Sequence, residues 1–191
     1  MKILKQLLIT SFLLGSSSVF TQNYTLDKNH SRLAFTATHF AISHIEGDFR
    51  NFDATLKTSK EDFTDAVIYM TADAKSINTN VEMRDKDLRS QNWFDTEKFP
   101  KIEFKSTTFK KIDNKNYKLE GDITIRGVTK SIVFDVTYNG KALNPMSKKS
   151  SVGFAINGKL NRKDFRVGTE AFDGVVGKEI ELHSNVEFII D

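Results

Sequence analysis

The sequence predicts an all-β protein whose strands close into one eight-stranded antiparallel barrel. Apolar and polar residues alternate in eight segments, turn-forming residues separate them, and both prolines, Pro100 and Pro145, fall outside the alternating runs. Period-2 alternation marks strands with one buried face. Proline is kept out of strand interiors because it cannot donate to the ladder.

The first segment sets Leu33, Phe35, Ala37 and His39 on one face. The second carries Ile45, Gly47 and Phe49, then resumes at Phe52, Ala54 and Leu56, a parity slip that predicts a bulge at Arg50–Asn51. Ala66, Ile68, Met70 and Ala72 form the third, and Ile102, Phe104 and Ser106 the fourth. Asp113–Asn114–Lys115–Asn116 is hairpin chemistry leading into the fifth, with Tyr117, Leu119, Gly121, Ile123 and Ile125 on one face. Arg126–Gly127 turns the chain into the sixth, Ile132, Phe134, Val136 and Tyr138, which is expected to end at Asn139–Gly140. Val152, Phe154, Ile156 and Leu160 mark the seventh. The eighth sets Ile180, Leu182, Val186, Phe188 and Ile190 against Glu179, Glu181, His183, Asn185 and Glu187. Closing such strands into a ring removes exposed edges, with a two-sheet sandwich as the alternative the pattern leaves open. With strands of about 11 residues tilted about 40°, the barrel would stand roughly 28 Å tall. Its inward set mixes phenylalanines with Ala37, Gly47, Ala72, Ser106 and Gly121, so a long, slender apolar cavity is expected rather than a solid plug.

One short helix is expected between the third and fourth strands. Asn78 to Asn80 offer capping oxygens and Glu82 follows in the first turn. Val81, Arg84, Asp85 and Leu88 share a face at helical spacing. Either these charges face the barrel mouth, or Asp85 and Arg89 form a surface pair worth about 0.3–0.5 kcal/mol, with Trp93–Phe94 completing a lid.

Residues 1–22 read as a signal peptide, with Lys2 and Lys5 before the apolar run Leu7 to Leu14 and serines after it. Cleavage after Ser18 or Thr21 would leave residues 23–191 as one barrel domain. Loss of the two leader lysines takes the formal charge from +3 to +1, and no cluster of Lys and Arg remains to hold nucleic acid. Cysteine is absent, which excludes disulfides, thiol nucleophiles and thiolate metal sites. His30, His39, His44 and His183 show no metal-ligand spacing, and no Ser, His and acid constellation is recognisable, so neither a metal nor an enzyme is expected.

Ser76–Ile77–Asn78–Thr79, the run Met83 to Ser90, Trp93–Phe94–Asp95, Phe99 to Phe104, Gly121 to Lys130 and Leu160 to Phe165 resemble the YceI-like family. The likeness extends over about residues 23–191. It implies a lipocalin-like extended barrel, periplasmic in Gram-negative bacteria, that encloses a polyisoprenoid or another long-chain amphiphilic lipid. Isoprenoid quinones and fatty-acid derivatives are the other candidate ligands. On this reading the cavity wall comprises Phe35, Ala37, His39, Phe49, Met70, Phe104, Ile123, Phe134, Phe154 and Phe188. Arg84, Asp85, Trp93, Arg162 and Phe172 would form the mouth or headgroup site. An Arg suits a phosphate or carboxylate headgroup through bidentate hydrogen bonds. His39, inward by parity, would donate either to a quinone carbonyl or to a backbone carbonyl. One departure is Arg166, where glycine is expected after the aromatic Phe165. Two rivals stay open: an eight-stranded outer-membrane barrel, with apolar residues outside, and a lipocalin-like enzyme. Transient membrane contact and a homodimer are both compatible with the sequence.

Overall fold

The computed structural model describes residues 21–190. The leader expected over residues 1–22 lies, but for its last two residues, outside the described residues. Strands run β1 (Gln22–Leu26), β2 (Arg32–His39), β3 (Ser43–Phe49), β4 (Phe52–Thr58), β5 (Val67–Asp73) and β6 (Ile77–Asn78). Helix α1 (Glu82–Arg89) follows, then β7 (Lys101–Lys111), β8 (Asn116–Ile125), β9 (Val128–Leu143), β10 (Ser150–Asn161) and β11 (Val176–Ile190). The pairing order β1-β4-β5-β7-β8-β9-β10-β11 returns to β1 and closes an eight-stranded antiparallel barrel. β2 takes over from β1 along β11, and β3 continues β4, pairing with β2 on one side and β6 on the other.

Three local features depart from the alternation pattern. β1 escapes it because the strand is short, yet Tyr24 pairs with both Ile190 and Leu56 and so joins the two ends of the sheet. Asn139–Gly140 is not a turn: Gly140 pairs with Gly153 while Tyr138 pairs with Phe154, leaving Asn139 as the extra residue of a bulge inside β9. A second bulge, between Ser106 and Thr108, reverses the parity of β7 and turns Phe109 into the core. The expected break at Arg50–Asn51 separates β3 from β4. Asp113 accepts from the backbone of Lys115 and Asn116 in its hairpin, and Arg126–Gly127 forms a two-residue turn with both residues at positive φ.

The apolar faces point inward, with Ile102, Phe104, Leu119, Ile123, Phe134, Val136, Phe154 and Phe188 all buried. Outward positions carry Lys105, Lys110, Glu120, Asp122 and the Lys118–Asp135 ion pair. A strand facing lipid needs an apolar outer belt. The faces therefore run the opposite way from an outer-membrane barrel.

Where the chain passes from β1 to β2, Asp27 N–H donates to the Glu187 carbonyl (2.8 Å) and Glu187 N–H donates to Ser31 Oγ (3.0 Å). The Asp27 carboxylate accepts from Asn29 N–H and pairs with His30 Nδ1, each at 3.0 Å. Ligand atoms of Asp27, His30 and Glu187 lie within 4.8 Å of one another, but the Asp27 carboxylate is already committed to holding this turn. The hydrogen bond between them raises the His30 pKa and lowers that of Asp27. The raised His30 stabilises fully below the ordinary imidazole range and loses its effect as pH rises through its folded pKa. Asp27 loses its contribution as pH falls through its own lowered value. The melting-temperature gap between the parent protein and His30→Ala is therefore expected to be widest near about pH 5.5 and to shrink by about pH 8.5. A gap that grows with pH would refute this clamp.

Candidate functional site: an apolar bore with two different ends

Glycines on the inner wall decide whether the barrel is hollow. The ring of Phe35 lies across Gly47, its direct partner on β3, while Phe104 covers Gly121 and Phe134 covers Gly158. A Cβ at Gly121 or Gly158 would stand 2.5 Å from the ring above it. Each ring thus lies along the wall, in space that only a glycine leaves free. A cavity of about 190 Å³ remains on the axis, running from Leu56 and Phe109 at one end to Arg162 and Phe165 at the other. Its lining is apolar apart from Arg162 and Ser184. An apolar void of this kind stays dry.

The bore is narrower than the barrel's height suggests, and falls below the roughly 300–1,000 Å³ usual for drug-sized ligands. Rings meeting inside it account for this: Phe104 and Phe134 stand edge to face at 5.5 Å, and Phe35 and Phe49 meet tilted at 5.9 Å. Of the expected wall, Phe35, Ala37, Phe49, Met70, Phe104, Ile123, Phe134, Phe154 and Phe188 line the cavity. His39 does not. It ends β2 beside a tight turn in which Phe40 and Ala41 are left-handed, and its ring contacts Phe40 at 4.3 Å.

The α1 end of the barrel is tied by guanidinium groups. Arg84 donates to Thr79 through Nε to Oγ1 (2.7 Å) and Nη2 to the carbonyl (2.8 Å). The buried Asp85 accepts from Thr79 N–H (2.8 Å) and Oγ1 (2.5 Å). Both charges therefore brace the loop before the helix, and neither reaches the cavity. The helix starts at Glu82 without a side-chain cap, because Val81 takes the N-cap position, while the Asn78 side chain bonds the Asn80 side chain and backbone N–H. The alternative Asp85–Arg89 pair does not form either, since Arg89 donates to the Lys75 and Ile77 carbonyls (2.9 and 3.2 Å).

Leu88, Trp93 and Phe94 close the bore from this side. Trp93 packs on Phe172 at 4.9 Å and beneath the Arg162 guanidinium at 5.5 Å, so these three residues do come together. Arg162 is only 2% exposed. It donates to the carbonyls of Val167, Val176 and Gly177 (2.9, 2.9 and 3.0 Å) and to Asp173 Oδ1 (3.0 Å). Lys163, then Arg162 and Lys178, hold the Asp173 carboxyl below its ordinary range. Arg126 reaches across to the carbonyls of Gln91 (2.7 Å) and Arg166. Arg166 sits at φ +59, so the backbone keeps a left-handed conformation where glycine was expected, at a cost of about 1 kcal/mol or more for a side chain.

The opposite end is closed by aromatic rings. Phe63 projects from the loop after β4 and packs against Tyr24, Tyr138 and Phe154 at 6.0, 5.5 and 5.4 Å. Asp65 gathers that loop, accepting from Thr58, Ser59 and Lys60. The hydroxyls of Ser59 and Thr58 hold its carboxyl far below the usual range, so the clasp stays charged at any ordinary pH. Sequence reasoning missed both Phe63 and Phe109. Phe63 lies in a polar loop with no periodicity to flag it, whereas Thr107–Thr108 could have signalled the bulge that turns Phe109 inward.

A family model for the YceI-like domain matches residues 24–188. The chain belongs to the YceI-like family. UPF0312 proteins of Staphylococcus aureus are 33% identical to it over 172 residues, covering 88% of this chain and 98% of theirs. The crystal structure of a Campylobacter jejuni YceI protein superposes with a TM-score of 0.70 at 30% identity, covering 80% of this chain and 88% of that one. Two more distant structures share the fold. BcnA of Burkholderia cenocepacia matches with a TM-score of 0.77 at 21% identity, covering 85% of this chain and 98% of its own. A polyisoprenoid binding domain from Saccharophagus degradans matches at 0.62 and 12% identity, covering 88% and 98%.

Two measurements check this YceI-like bore. Gly158→Ala should drive the Phe134 ring toward the axis, costing about 1–3 kcal/mol in urea unfolding through overpacking. An unchanged midpoint would mean that the ring does not rest on that glycine. Arg166→Gly should gain about 0.5–1 kcal/mol in the same assay by relieving a left-handed side chain, and a loss would refute the strain.

Proposed function

We propose that this YceI-like protein is an exported, non-enzymatic binding protein that encloses the tail of one long-chain amphiphile, as carrier or reservoir. The observation that carries the reading is the bore itself: apolar along its length, with Arg162 the one charged residue in its lining. A polyisoprenoid, an isoprenoid quinone or a fatty-acid derivative has the matching chemistry, and the Saccharophagus degradans domain of the same fold is described as polyisoprenoid binding.

Energetics favour a holder of lipid over a scavenger from water. Burial from water gains about 0.8 kcal/mol per methylene, but such ligands start in a bilayer that is as apolar as the bore. Tail transfer is then near neutral, and selection falls to length and cross-section. Phe35, Phe104 and Phe134 set that cross-section, and they must turn further aside to admit a long chain into about 190 Å³. Arg84 is spent on Thr79, and the buried Arg162 on three carbonyls and Asp173, so a headgroup would remain in solvent. The leader-like residues 1–22 suit export to the periplasm. A monomer suffices for this function, and no cofactor enters it.

Native mass spectrometry of protein purified without detergent, followed by organic extraction, is expected to show one long-chain amphiphile per chain. Protein that is always empty and takes up no added long-chain fatty acid would overturn the proposal. Phe134→Glu places an unpaired carboxylate in the bore, so a variant that keeps the parent's circular dichroism should lose loading. Normal loading by that folded variant would also overturn it.

A further inference from the structure

Around the barrel wall, the ladder between β5 and β7 stops early. Its last pair is Tyr69 with Lys105, although β5 begins at Val67 and β7 runs on to Lys111. Above that point Ile68 N–H donates to the Ser106 hydroxyl (2.8 Å) in place of a strand carbonyl, and the bulge after Ser106 bows β7 away. A groove of about 660 Å³ occupies the gap, with Thr64 to Val67 on one bank and Ser106 to Lys111 on the other. Phe109 lines both this groove and the inner cavity, so one ring forms the partition between outside and bore.

The loop that borders the groove carries the aromatic plug. Phe63 is 3% exposed yet holds φ at +60, a conformation that a bulky residue adopts only under constraint. Its loop is clasped on the β4 side by the Asp65 carboxylate and the Thr58 hydroxyl, while Lys111 reaches Asp62 at 3.9 Å across the seam. The two ends of the barrel are thus closed in different ways. Opening the α1 end would break the bonds that Arg84, Arg89, Arg126 and Arg162 make to backbone carbonyls. Parting the seam breaks no ladder bond: it costs the Ile68–Ser106 hydrogen bond and the long Lys111–Asp62 ion pair, and it requires Phe63 to turn and Phe109 to leave its stack on Tyr117.

We propose that the loop 59–66 and the unpaired upper seam between β5 and β7 form the gate through which the ligand's alkyl chain enters and leaves, sideways through the wall. This rests on the lipid-binding reading above. Phe109 is the partition that swings, and Phe63 is the stop that holds it shut.

The cysteine-free chain makes the test clean. Val67→Cys and Thr107→Cys, on opposite banks of the groove, are joined by a short bis-maleimide, and uptake and release of cis-parinaric acid are followed by its fluorescence. Exchange is expected to slow about tenfold or more relative to the unjoined double variant, with the final occupancy unchanged. The same bridge between Lys118→Cys and Asp135→Cys, on a fully laddered wall, should leave exchange at the parent rate. Phe63→Ala and Asp65→Ala should each speed exchange several-fold at equal occupancy. A bridged seam that exchanges at the unbridged rate, or a control bridge that slows it equally, would overturn the gate while leaving lipid binding intact. Failure of the parent protein to take up the probe would remove the binding reading, and the gate with it.

Discussion

A continuous circuit of main-chain hydrogen bonds around eight strands governs everything else in this protein, and β1 is its shortest link. Tyr24, Thr25 and Leu26 meet β11, while Gln22 to Thr25 meet β4, and these pairs join the two ends of the sheet. Closing the circuit leaves little edge to template aggregation, the short β6 and the upper β5–β7 seam being the exceptions. Every wall residue must then face either the axis or water. Apolar alternation settles which, and eight strands leave an interior that side chains can only just fill. Whether any hollow persists is then decided by a few side chains, above all the phenylalanines that fold flat over glycines.

Charged residues near the bore serve architecture before they serve recognition. Arg84 and Asp85 both converge on Thr79, and Arg162 binds the segment from Val167 to Gly177 into a cap. A buried guanidinium is tolerable only when its donors find acceptors, and three carbonyls, one carboxylate and the Trp93 ring provide them. This explains why Arg and Asp recur in the segments that resemble the family: they fix irregular backbone where the strands stop. The far end has no such guanidinium fastening and relies on tilted and edge-to-face rings, the Asp65 carboxylate and the Thr58 hydroxyl.

Strand content was legible because period-2 patterning is a direct imprint of one buried face, and the long strands β8, β10 and β11 follow it closely. Misreadings occurred where backbone irregularity changes parity without a sequence breaker. Thr107 shifts the phase in β7 and hides Phe109, while Asn139–Gly140 resembles a turn yet sits inside a strand. Nearly the whole predicted wall reaches the bore, since parity alone aims those side chains. The mouth was harder to foresee: whether an Arg points at a ligand or at a carbonyl depends on loop conformation, which spacing does not encode. Arg166 makes the converse point, for its left-handed backbone is the same one that a glycine would take there.

The rings resting on Gly47, Gly121 and Gly158 have an evolutionary corollary. The calibre of this tube depends on rotation about single bonds at a few heights along it, and not on the number of staves. A lineage can therefore re-gauge the bore by trading Gly158 for alanine, or one phenylalanine for leucine, at positions where only a ring and no main chain has to give way.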